Sequence, residues 1–101
     1  MSAVLSNVQK RYLRGLAHDL KPVLLLGNKG VSEGVLAELD QVLEQHELVK
    51  AKVAAGEREL RDAWIAALVE GSGAALVGRI GNIAILYRRS RNKPMIVLPK
   101  G

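Results

Sequence analysis

At 101 residues the chain has room for one domain built on a single core (residues 1–101), and its 49% hydrophobic content argues against wholesale disorder. It has no cysteine, which excludes a disulfide framework and a thiolate metal site, and no apolar run approaches the roughly 18 residues needed to cross a bilayer. The net charge of +5 is segregated along the chain: residues 1–32 carry +4, residues 33–70 carry −5 and residues 71–101 carry +6. That pattern is expected of a molecule with a basic side and an acidic side, and a basic side is the electrostatic footprint of a polyanion. Met1 to Asn7 lack the charged start and long apolar stretch of a signal peptide, so the expected compartment is the cytoplasm, without a membrane partner.

Leu5 to His18 reads as a helix capped by Ser6 or Asn7. Val8, Tyr12 and Leu16 recur at four-residue spacing, with Leu5 and Leu13 beside them, as an apolar stripe. Lys10, Arg14 and His18 form a second, basic series, with Arg11 adjacent. Pro22 disfavours helix at Lys21 and ends the segment. Pro22 to Leu26 reads as a strand, and the unbroken run Val23-Leu24-Leu25-Leu26 predicts a central position covered on both faces. The turn Gly27-Asn28-Lys29-Gly30 follows. Ser32 then caps a helix reaching His46, with Glu33 in its first turn and Val35, Leu36, Leu39, Val42 and Leu43 as its packing stripe. Gly34 costs about 1 kcal/mol relative to alanine in a helix, which implies close approach of another group to the helix start.

Leu48 to Ala54 alternates, with Val49, Ala51 and Val53 on one face and Lys50 and Lys52 presented outward. Glu57 to Glu70 reads as a third helix packing through Leu60, Ala63, Trp64, Ala67 and Leu68, with Trp64 a core anchor and Gly71-Ser72-Gly73 as the stop. Ala75 to Ile80 and Ile83 to Arg89 form a hairpin about Gly81-Asn82. Ile83, Ile85 and Tyr87 share one face there; Ala84, Leu86 and Arg88 share the other. Met95 to Leu98 reads as a short last strand between Pro94 and Pro99. The order α-β-α-β-α-β-β predicts an α/β two-layer sandwich, a mixed sheet with packed helices.

The chain offers no catalytic constellation. His18 and His46 sit where a cation suits a helix C-terminus, no H-x-x-H or H-E-x-x-H metal spacing exists, and Ser32, Ser72 and Ser90 occupy capping or turn positions. No cofactor, catalytic group or metal ligand set is therefore expected. The turn fits neither G-x-G-x-x-G nor Walker A, because Lys29 lies between the glycines instead of following them. What it offers is a strand that ends in two glycines about a lysine and opens into a helix. Such a turn lets a phosphate approach the backbone and meet the positive helix end. A plain strand-to-helix turn is the competing reading. G-x-x-G loops clamp nucleic-acid backbone in KH domains, and with only Tyr12, Trp64 and Tyr87 available for stacking, backbone and shape recognition of structured RNA fits better than base stacking.

Leu20-Lys21-Pro22, the strand and turn Val23 to Gly30, the helix opening Val31-Ser32-Glu33-Gly34-Val35, the stretch His46 to Val53, Ile85-Leu86-Tyr87-Arg88 and Ile96-Val97-Leu98-Pro99 together resemble the bacterial YhbY-like family. That family is a stand-alone form of the CRM domain (chloroplast RNA splicing and ribosome maturation). The resemblance spans nearly the whole chain. It implies an α/β sandwich similar to the C-terminal domain of translation initiation factor three, RNA binding, and association with precursors of the large ribosomal subunit. The family's G-x-x-G loop falls on Gly27, Asn28, Lys29 and Gly30. The glycine-lysine pair that often starts the last strand in relatives is Gly81-Asn82 here, which puts that position's part in RNA contact in doubt.

The expectation is a non-catalytic RNA-binding protein. Lys29 and the loop backbone would hold a phosphate, Lys10, Arg11, Arg14 and Lys21 would extend the contact, and Lys50, Lys52 and Arg88 are further candidates, with Arg79, Arg89 and Arg91. An adaptor docking through the acidic helices of residues 33–70 is the alternative, and a small phosphate-ligand enzyme is a third possibility.

Overall fold

The computed structural model describes residues 5–27 and 30–100. Its elements are α1 (Asn7–Ala17), β1 (Leu24–Leu26), α2 (Glu33–His46), β2 (Leu48–Val53), α3 (Arg58–Ser72), β3 (Ala75–Ile80) and β4 (Ile83–Tyr87). The sheet order is β1-β2-β4-β3, with β1 parallel to β2 and both other pairings antiparallel. The α/β class, the element order and the mixed sheet agree with the sequence reading. Among the described residues no helix is long and apolar enough to cross a membrane.

Alternation in the strands builds two cores. Leu24, Leu26, Val49, Ala51, Val53, Ala84 and Leu86 meet Leu39 and Leu43 of α2 and Ile65 and Leu68 of α3. On the opposite face Leu48, Ala75, Val77, Ile85 and Tyr87 meet Leu5, Leu13 and Ala17, with Ile96 and Leu98 of the C-terminal segment packed alongside. Each fully buried leucine contributes about 2 kcal/mol through removal from water. Thus α2 and α3 form a layer on one face, and α1 with the C-terminal segment partly covers the other.

Four local expectations change. β1 is an edge strand, and its uniform apolar run is covered on one face only: Leu24 and Leu26 are buried, while Leu25 is 66% exposed. In α1 a capping box places Ser6 and Gln9 in reciprocal hydrogen bonds, and the helix buries Leu13 and Ala17, leaving Val8, Tyr12 and Leu16 exposed. In α3 the inward stripe is rotated relative to the expected one. Ile65 and Leu68 are buried, Trp64 and Val69 pack beside them, and Leu60 faces water. The larger Ile65 and Val69 bury more area than Ala63 and Ala67 could. Met95 to Leu98 form no strand, because the Met95 and Ile96 N–H groups donate to the Glu47 carboxylate instead of to a ladder.

Candidate nucleic-acid interface

The C-terminal ends of β1 and β2 and the β3–β4 turn share one end of the sheet, since Val53 N–H donates to Asn82 C=O and Ala54 N–H donates to Leu26 C=O. The glycine turn leaves the sheet there. Asn28 and Lys29, the expected tip of the phosphate contact, lie outside the described residues. Gly27 is exposed, and a Cβ built on it would meet nothing within 4 Å. Gly30 is buried at φ +70°, and a Cβ there would stand 2.9 Å from Cε2 of Trp64. Its N–H donates to Gly27 C=O at 3.2 Å. The two glycines therefore differ. Gly27 leaves the backbone open to an approaching group. Gly30 is required by its left-handed conformation and by the indole beneath it, and its amide is already used within the turn. Both glycines are expected from the sequence to let a phosphate approach the backbone; the structure leaves open space at Gly27 and fills it at Gly30.

Behind the turn, Ser32 caps α2 by accepting the Val35 N–H at 3.2 Å. Glu33 occupies the first turn, as expected. Gly34 is not crowded: a Cβ there would meet only Ser32 Oγ, at 3.8 Å, so no close approach requires this glycine.

The expected cationic residues divide into exposed and structural groups. Arg11, Arg14, Lys21 and Lys52 are exposed and Lys10 is half-buried. The stem of Arg14 lies against Gly78, whose missing Cβ leaves the room, and its guanidinium donates to Val77 C=O at 3.5 Å. Lys50 does not face water. It is buried, and its Nζ donates to Leu20 C=O at 3.0 Å, tying the α1–β1 connection to the sheet. Arg88 is likewise structural: it pairs with Asp40 at 2.8 Å and Glu44 at 3.0 Å and donates to Ser72 C=O at 2.8 Å. These two are corrections to the sequence-derived site. Alternation assigns a side chain to a face, and what covers that face decides whether it is free.

In register, Leu25 stands beside Lys52, Lys52 beside Ile83 and Ile83 beside Ile80, one residue from each strand. This row belongs to the α1 face at the end carrying the glycine turn. Leu25 and Ile80 are 66% and 63% exposed. Exposed cations of α1, the connection and Lys52 thus lie on the face of the open row, and the acid-rich α2 and α3 cover the other. An apolar groove of about 360 Å³ lies between Leu16, Leu20, Val23, Leu48 and Ile96, with Lys21 and His46 as its polar lining.

Sequence reasoning missed Glu47. At φ 62° it is fully buried, and it accepts the N–H groups of Ser90, Met95 and Ile96, each at 2.7 Å. Burial pushes its carboxyl up, but the three N–H donors outweigh that and hold it below the ordinary glutamate value. A non-glycine residue at positive φ leaves no mark in the sequence. Arg58 and Arg61 were also passed over as members of an acidic segment.

The relatives point the same way. A Haemophilus influenzae RNA-binding protein is 49% identical over 96 residues, 95% of this chain and 96% of its own length. A probable RNA-binding protein of Bacillus subtilis is 38% identical over 96 residues, 95% of this chain and all of its own. A solution structure of a Staphylococcus aureus protein, described as a candidate RNA-binding protein, superimposes with TM-score 0.81 at 34% identity, covering 95% of this chain and 100% of the other. The CRS1/YhbY (CRM) domain model matches residues 5–88, and the chain belongs to that family.

Proposed function

We propose that this protein binds RNA without catalysis, and that its target is the ribosomal RNA of large-subunit precursors, met in the cytoplasm during subunit assembly. One observation carries the reading: Gly27, exposed and with open space about its Cα, stands at the end of a sheet face whose exposed charged groups include Arg11, Arg14, Lys21 and Lys52. The RNA-binding relatives and the family resemblance support it. Lys29 at the turn and the α1 cations engage phosphates, which fix orientation without reading sequence. The row Leu25, Lys52, Ile83 and Ile80 lies beside that path.

If about six phosphates are neutralised, log K falls against log salt with a slope of about −4 to −5. Crosslinking in cells, followed by sequencing of the attached RNA, tests the target. Enrichment of large-subunit precursor RNA is expected, and an even spread over messenger RNAs would remove the assembly role. An adaptor acting through α2 and α3 would keep its partner in nuclease-treated lysate, whereas an RNA-binding protein loses it.

A further inference from the structure

At the glycine-turn end, but on the α3 face, Arg58, Arg61, Arg79 and Gly81 line an open crevice of about 490 Å³. Arg58 and Arg61 come from the first two turns of α3, and Arg79 comes from β3 just before the Gly81-Asn82 turn. Arg79 pairs with Asp62. The ion pairs among the described residues leave Arg58 and Arg61 without a carboxylate. Among the described residues Arg61 keeps a buried Nε with no hydrogen-bond partner, as Arg88 does at the other end of the sheet. Unlike α1 and α2, α3 starts without a side-chain cap, so its first N–H groups are unoccupied by Glu57. Asp62 lies within this positive field. The Arg79 hydrogen bond, opposed by burial and joined by the charges of Arg79, Arg58 and Arg61, holds its carboxyl below the ordinary aspartate value. Three guanidinium groups around one carboxylate make the crevice an anion site with an excess of positive charge.

We propose that this crevice holds a second backbone phosphate of the RNA gripped at the glycine turn. The inference rests on the RNA-binding reading above. Gly27, directly after β1, and Arg79, on β3, stand at the two edge strands at one end of the sheet, three strand spacings or about 14 Å apart, with Arg58 and Arg61 on the α3 side, so an RNA strand crossing that end engages both. Arg79 then supplies positive charge beside a turn that carries Asn82.

The test is fluorescence anisotropy with a labelled RNA hairpin bearing single-stranded flanks, between 50 and 200 mM KCl. It compares the full chain with the double variant Arg58→Gln/Arg61→Gln and with Asp62→Asn. Glutamine keeps the aliphatic stems, and a thermal melt checks the fold. The double variant is expected to bind about tenfold more weakly, with a salt slope shallower by about 1 to 2. Asp62→Asn removes the carboxylate paired with Arg79 in the crevice and is expected to tighten binding about two- to fivefold. A folded double variant with unchanged affinity and slope overturns the crevice and leaves the RNA reading intact. A weakened Asp62→Asn complex also contradicts the crevice. An unmodified protein that does not bind the hairpin overturns both.

Discussion

The two ends of the sheet differ in how fully their polar groups are paired, although among the described residues Arg88 Nε at the Glu47 end is left without a partner and Arg79 at the glycine-turn end is paired with Asp62. At one end Glu47 accepts three backbone N–H groups and Arg88 bridges two acids and the Ser72 carbonyl. Glu44 adds to this by accepting the Arg91 N–H. At the other end Leu25 and Ile80 are exposed, α3 has no side-chain cap, and among the described residues Arg58 and Arg61 form no ion pair. Satisfied polar groups rigidify, whereas unsatisfied ones are available to a ligand. The polar network that stabilises the fold lies at the Glu47 end, and the RNA contact proposed above lies at the glycine-turn end.

The sharpest way to break this division is Glu47→Ala. It strands three N–H groups and releases the C-terminal segment, at a cost of about 3 kcal/mol, measured by urea denaturation. RNA affinity of the protein that remains folded should hold. Because the folded-state carboxyl of Glu47 titrates below its unfolded value, its contribution is present above the unfolded pKa and lost as pH falls through the lowered one. Glu47→Gln should flatten that part of the acid-stability profile, and an unchanged profile would show that the carboxylate bonds do not matter.

The paired glycines give the next largest effect. Gly30→Ala meets both the positive φ and the Trp64 indole and should cost about 2 kcal/mol. Gly27→Ala has open space and should change stability by less than about 0.5 kcal/mol while weakening RNA binding. Equal melting temperatures for the two would remove the distinction. The lysine pair on β2 gives a smaller contrast in stability than the glycine pair. Lys50→Ala leaves Leu20 C=O without its donor and costs about 1 kcal/mol. Lys52→Ala leaves stability unchanged and makes the RNA salt slope shallower by about 1.

The helices, the hairpin and the order of elements were legible because periodicity and capping residues are local signals: Ser6, Ser32 and Gly73 all sit at the ends they mark. What stayed illegible depends on distant chain. Val23 to Leu26 reads as a central strand because its apolar run is continuous, yet β1 is an edge strand and α1, on the Leu25 side, leaves Leu25 exposed. Lys50 and Lys52 have the same parity and the same face, and only the return of Leu20 over the sheet separates them. The C-terminal segment has strand-like composition, but Glu47 takes its amides. In the site, the turn and the basic stripe of α1 were visible as motifs. The arginine crevice was not, because it joins a helix start, inside a segment whose summed charge is negative, to a strand about twenty residues further on.

Titration of the isotopically labelled protein with RNA, followed through backbone amide shifts, tests the division between the two ends most directly. Changes should concentrate at Gly27, Gly30, Lys52 and the Gly81-Asn82 turn, leaving Ser90, Met95 and Ile96 still. Shifts confined to the Glu47 network or to the acidic outer surface of α2 would contradict it.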